Sequence, residues 1–203
     1  RSDAAVFRLP ADPRVFVLAG EGHVDLWSWT EATGWTLVDD AFFSRVPEQV
    51  SVAVRPVVGS PTEVYVAAAY RSETGGGFIE VQRWDPATGT KTTIPSLFLT
   101  GQSGLDFGLR SMHLLVPDDT FLAYVNTVSG QLWKASLSDE TPTWAQMSIV
   151  AGAGPCFQNL TGAAVGAFPP LTGAGFFVHG GNITESISLA TYVLESVIPG
   201  SYT

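Results

Sequence analysis

Four short apolar runs recur at nearly even spacing along this chain. They are Val15-Phe16-Val17-Leu18-Ala19-Gly20, Val64-Tyr65-Val66-Ala67-Ala68-Ala69, Phe121-Leu122-Ala123-Tyr124-Val125-Asn126 and Phe176-Phe177-Val178-His179-Gly180-Gly181. They begin at residues 15, 64, 121 and 176, in steps of 49, 57 and 55 residues. Self-similarity at such a period points to a repeat architecture, in which each unit buries its apolar faces against its neighbours.

The surroundings of the four runs repeat as well. An apolar strand and a tight polar turn precede each one. In the first copy these are residues 5–9 and Pro10-Ala11-Asp12-Pro13; in the third they are Met112-His113-Leu114-Leu115-Val116 and Pro117-Asp118-Asp119-Thr120. Proline, aspartate and glycine set the dihedrals of hairpin turns. A third strand with alternating polarity follows, as in Val24-Asp25-Leu26-Trp27-Ser28-Trp29 and Ile79-Glu80-Val81-Gln82-Arg83-Trp84. Next come turns closed by Gly34 and Gly89, where glycine supplies the positive φ. Short fourth strands are predicted at residues 35–38, 91–94 and 144–147. Four antiparallel strands per roughly 50 residues, without helical periodicity, predict an all-β fold. The expected architecture is a β-propeller of four blade-like repeats, at about 3–48, 49–108, 109–159 and 160–203. These make one domain over 1–203, or a segment of a larger ring; a β-sandwich is the alternative.

The unit resembles a kelch repeat. Phe177-Val178-His179-Gly180-Gly181 matches an apolar strand running into a double glycine. Trp29 with Trp35, and Trp133 with Trp144, match an aromatic on the third strand followed by a tryptophan on the fourth. Elsewhere Ala19-Gly20, Ala68-Ala69 and Val125-Asn126 stand where the double glycine would be. The resemblance implies a propeller, a fold that serves as binding scaffold, lectin or enzyme, so function rests on the site.

Composition narrows the function. Charged residues make up 14% and hydrophobic residues 45%, which excludes a disordered chain. The net charge is −9 and no basic run occurs, which argues against nucleic acid as a partner. No apolar run has the roughly 18 residues of a membrane span. The sequons Asn159-Leu160-Thr161 and Asn182-Ile183-Thr184 are acceptor sites for glycans if the chain is secreted. Cys156 is the only cysteine, which leaves a buried thiol or a disulfide to another chain.

No catalytic constellation stands out, and no metal or cofactor is expected. Gly75-Gly76-Gly77 lacks the lysine of a phosphate loop, and the glycines around Ser103 do not complete a nucleophile elbow. His23, His113 and His179 fall in three different repeats, and Asp39-Asp40 and Asp118-Asp119 read as turn residues. In a propeller, the loops between second and third strands share one face with the crossovers between blades. That face would gather Glu21, His23, Arg71, Glu73, Phe98, Phe107, Asn126 and Glu185. Its crossovers, 41–49, 96–108 and 148–160, are apolar for loops. The expected function is a non-enzymatic interaction or structural module, extracellular or on a particle surface, binding other protein chains or the rest of a longer polypeptide. The alternative is a carbohydrate-active propeller, lectin or glycosidase. The fourth repeat shows no fourth strand after residues 187–197, so an open sheet edge is expected there.

Overall fold

Tight turns cut the chain into strands averaging only a few residues, and no helix interrupts them. The computed structural model describes residues 4–10, 12–55, 62–71, 77–99, 112–118, 120–126, 131–139, 141–146, 149–151, 164–168, 175–179 and 189–194. Among these there are sixteen β-strands and no helix, hence none long and apolar enough to cross a membrane. The chain divides into two compact units, Arg1–Gly104 and Leu105–Thr203.

In the first unit, β1 (Ala5–Arg8), β2 (Val15–Ala19), β3 (Val24–Thr30) and β4 (Gly34–Phe43) form sheet I in the order β1-β2-β3-β4. The strands β5 (Gln49–Arg55), β6 (Glu63–Arg71), β7 (Gly77–Trp84) and β8 (Lys91–Leu99) form sheet II in the order β5-β6-β7-β8. Every neighbouring pair is antiparallel. Gly34 (φ 68°) and Gly89 (φ 72°) adopt the left-handed conformation expected where β3 turns into β4 and β7 into β8. In the second turn the Asp85 carboxylate accepts the Ala87 N–H at 2.8 Å, which fixes the chain reversal.

Side-chain alternation then joins the two sheets face to face. Phe16, Leu18, Val24 and Leu26 point from sheet I into a cluster completed by Val64, Val66, Ala68 and Trp84 of sheet II. Trp84 meets Phe16 edge-on, with ring centroids 5.6 Å apart and planes at 66°. Full burial of such side chains stabilises by about 1.5–3 kcal/mol each. At one edge β1 runs beside β5. At the other edge Lys91 Nζ of β8 lies 2.9 Å from Asp39 Oδ2 of β4.

In the second unit, β9 (Met112–Asp118), β10 (Phe121–Asn126), β11 (Gln131–Ser136) and β12 (Trp144–Gln146) form sheet III. The six residues of β10 are all buried, as expected of an inner strand apolar on both faces. Sheet IV takes β13 (Ile149–Ala151), β14 (Ala164–Phe168), β15 (Gly175–His179) and β16 (Leu189–Leu194) in the order β13-β16-β15-β14. Its edge strand β14 runs beside β9, as β5 does beside β1.

Each of the four recurring runs is the second strand of its own four-stranded sheet: β2, β6, β10 and β15. Two sequence expectations need correction. The outer strands are longer than predicted, because segments read as turn or crossover belong to them. Asp39-Asp40 and Phe42-Phe43 continue β4, and Leu97-Phe98-Leu99 continue β8. Bulges make this possible: the β3–β4 register shifts between Val24 and Trp27, and the β7–β8 register shifts between Ile79 and Val81. Pro95 sits at the second bulge on an edge strand, where a missing N–H is tolerated. The second correction concerns sheet IV, whose open edge is filled. The crossover 148–160 contributes β13, which pairs antiparallel with β16 through Ile149↔Leu194, Val150↔Val193 and Ala151↔Tyr192.

Candidate functional site

The two sheets of the first unit differ in how they treat water. In sheet II the middle strands β6 and β7 are buried on both faces: Val64, Val66 and Ala68 on one side, and Tyr65, Ala67, Ala69, Ile79 and Val81 on the other, are all at 0–1% exposure. Sheet I is buried on one face only. Its other face carries two cross-strand rows. Val6, Val17, Trp27 and Leu37 lie opposite one another in register, as do Arg8, Val15, Trp29 and Trp35. Val6 is 67% exposed, Trp35 60%, Leu37 44% and Trp29 39%. A contiguous apolar patch on a well-ordered sheet marks a surface that another body covers. Aromatic residues are enriched in such patches because a rigid ring buries much area at small entropic cost.

The two ends of the unit carry different chemistry. At the end formed by the β2–β3 loop and the crossover, His23 Nε2 is 3.0 Å from Asp25 Oδ1 and 3.5 Å from Asp40 Oδ1. The loop is specified by its glycines. Gly20 lies so close to the His23 carbonyl that a Cβ would collide with it, and Gly22 has φ 90°. The bulge of β4 brings Asp40 alongside and holds Ala41 at φ 54°, with the Ala41 N–H donating to Asp25 Oδ1 at 2.9 Å. One donor atom from each of His23, Asp25 and Asp40 lies within 4.8 Å of the others, so these are the described residues that could ligate a cation together. The hydrogen bonds to Asp25 already account for their spacing. Since alanine is disfavoured at positive φ, Ala41→Gly is expected to raise stability by up to about 1 kcal/mol, and Ala41→Val to lower it. Urea unfolding of both variants checks the sign.

The same end gathers Arg45, whose guanidinium stacks 4.3 Å over Tyr70 and 4.7 Å over Phe78. Phe78 stacks on Tyr70 at 5.0 Å and leans on Phe98 at 6.0 Å. Phe98 is 66% exposed.

At the opposite end, two clefts open between turns. One, of ≈640 Å³, is walled by Leu9, Pro10, Pro13 and Pro86, with Asp12 and Arg14 at its rim. The Arg14 guanidinium grips Asp12 at 2.7 Å and holds its carboxyl below the usual carboxylate range. The second cleft, of ≈390 Å³, contains Glu63, Arg83, Trp84, Asp85 and several threonines. Glu63 accepts from Tyr65 Oη at 2.7 Å and from Arg55 Nη1 at 3.0 Å, and Arg83 Nη1 lies 3.7 Å away. Hydrogen bonds from the Ala87 N–H and the Thr88 hydroxyl hold Asp85 below the ordinary carboxylate pKa.

Of the residues expected on one binding face, Glu21 and His23 share the β2–β3 loop, and Arg71 and Phe98 lie at the corresponding end of sheet II. Asn126 is 1% exposed, its amide donating to Tyr124 Oη at 3.3 Å, so it belongs to the interior. Glu73, Phe107, Glu185, Asn159, Asn182, Cys156 and Ser103 lie outside the described residues. The exposed face of sheet I escaped the sequence reading, although β3 carries its signal. Apolar residues fall on both parities there, Val24 and Leu26 inward, Trp27 and Trp29 outward. No protein-family model and no curated protein matches the chain.

Proposed function

We propose that this chain is a kelch-like β-propeller module without enzymatic activity, which binds other protein through the outer face of sheet I. Its setting is extracellular or on a particle surface. The observation that carries the reading is the contrast between sheets I and II. The middle strands of sheet II are covered on both faces, whereas sheet I leaves Trp29 of its middle strand β3, and Val6, Trp35 and Leu37 beside it, in water. The blade reading draws support from four sheets of four strands, and from edge strands that adjoin in each unit, β1 with β5 and β9 with β14. A face of this kind fits another apolar sheet surface, supplied by further blades or by a neighbouring subunit.

The isolated chain offers itself only second copies, so it is expected to self-associate in solution. Trp35→Ser combined with Leu37→Asp is expected to yield a monomer with a melting temperature within a few degrees of the wild type, since both side chains are solvent-exposed. Light scattering and thermal unfolding measure the two quantities. A monomeric wild-type chain that also fails to bind an apolar dye would refute the reading.

A further inference from the structure

We propose that the free edge of β4 pairs with β4 of a second copy of the chain, antiparallel about Thr36, so that two copies of sheet I join edge to edge. The contact is made by backbone groups at the rim of the sheet. It goes beyond the reading of the apolar face and does not depend on it.

Among the described residues β4 pairs with β3 alone, so its far side presents a row of N–H and C=O groups. Folded proteins blunt such edges with short strands, charge, proline or bulges. The outer edges of the other three sheets are blunted in these ways. β8 starts at Lys91 and carries Pro95 beside a bulge. β12 and β13 have three residues each. By contrast, β4 has ten residues and no proline. From Gly34 to Leu37 it follows β3 in unbroken register, Thr30↔Gly34 through Trp27↔Leu37. No charged side chain occurs from Gly34 to Val38. The two charges that follow face groups of their own unit: Asp39 meets Lys91 at 2.9 Å, and Asp40 lies 3.5 Å from His23. Trp35, Thr36, Leu37 and Val38 are all exposed, so the edge is open on both faces of the sheet.

The sequence of this edge is complementary to itself. A two-fold axis through Thr36 sets Trp35 opposite the partner's Leu37, and Leu37 opposite the partner's Trp35. Both belong to the outer face, as residues opposite each other in a sheet must. Thr36 then meets the partner's Thr36. Aromatic–aliphatic and Thr–Thr pairs are both favourable cross-strand neighbours. Other axes fit worse. An axis through Leu37 sets Trp35 against the Asp39 carboxylate, and one through Trp35 runs the partner strand into the turn at 31–33.

Residues opposite one another across an antiparallel pair have Cα atoms about 4.5–5.5 Å apart, within disulfide reach. Thr36→Cys is therefore expected to give a disulfide-linked dimer under mild oxidation, in yield well above that of the wild-type chain, whose only cysteine is Cys156. Thr92→Cys, at an exposed position of the blunted edge strand β8, is expected to give no more than the wild type. Trp29→Ser removes a ring of the outer face from β3 and leaves β4 intact, so the Thr36→Cys cross-link is expected to persist in it. Sedimentation of Trp29→Ser is expected to show a dimer. Adding Thr36→Lys, which sets like charges opposite each other, is expected to weaken that dimer about tenfold at an unchanged melting temperature, since Thr36 is exposed. Equal cross-linking of Thr36→Cys and Thr92→Cys would overturn the proposal. So would a Trp29→Ser chain that is monomeric and no longer cross-links through Thr36→Cys; the apolar face would then account for all self-association.

Discussion

Phe16→Ala is expected to lower the unfolding free energy by about 3–5 kcal/mol. Phe16 is fully buried. It stacks on Phe7 at 5.3 Å and 16°, receives the edge of Trp84 at 5.6 Å, and lies 4.9 Å beneath the Arg14 guanidinium. Phe7 and Phe16 belong to sheet I and Trp84 to sheet II, so this ring joins the two sheets. Truncation removes its transfer free energy and leaves a cavity beside the Phe7 and Trp84 rings, which close-packed neighbours let collapse only in part. Trp35→Ala is the control. Trp35 is larger than Phe16 but 60% exposed, so its loss is expected to cost under about 1 kcal/mol. Urea unfolding of the two variants gives the comparison. Equal losses would mean that sheet I does not pack against sheet II through its Phe16 face.

Alkali is expected to destabilise the chain steeply from about pH 10 upward. Burial, reinforced by the Glu63 carboxylate, pushes the Tyr65 hydroxyl up to about 12. Burial also raises Tyr70 and Tyr124 above the ordinary tyrosine value. In each case the folded state holds the phenolic proton more tightly than the unfolded state. The resulting stability is complete below the unfolded value near 10 and is lost as pH rises through it toward the folded value. For Tyr65, which is 1% exposed, the span from 10.0 to about 12 corresponds to about 2–3 kcal/mol. The other two add to it. Tyr65→Phe is expected to flatten part of this alkaline loss. At neutral pH it should cost about 1 kcal/mol, because it removes the 2.7 Å hydrogen bond to Glu63. Urea midpoints at pH 8, 10 and 11 measure both effects. A stability that stays constant across that range would contradict the burial of the three rings.

The sequence by itself determined the strands and their grouping. A period of two in side-chain polarity, with glycine and proline at the breaks, places β1 to β3 and their counterparts with little dependence on distant contacts. Thus Val15, Val64, Phe121 and Phe176 each fall in the second strand of a separate sheet. Local signals failed where a strand carries residues that usually end one. Asp39-Asp40 read as turn residues and Leu97-Phe98-Leu99 as part of a crossover, but they lie within β4 and β8 because bulges absorb the irregularity.

Only the tertiary structure decided which faces are covered and which side chains meet. Trp29 and Trp84 lie at corresponding ends of β3 and β7, yet Trp29 is 39% exposed and Trp84 is 2% exposed. Alternation tells which residues share a face; it cannot tell whether a second sheet lies over it. The meeting of His23 with Asp40, or of Glu63 with Arg83, depends on a bulge and on strand register respectively. Sheet IV shows the same limit. Three residues of a crossover supply its outer strand, because an unpaired row of N–H and C=O groups on β16 accepts whichever segment the fold brings alongside. Strand pairing of this kind follows from proximity in space, which no local pattern encodes.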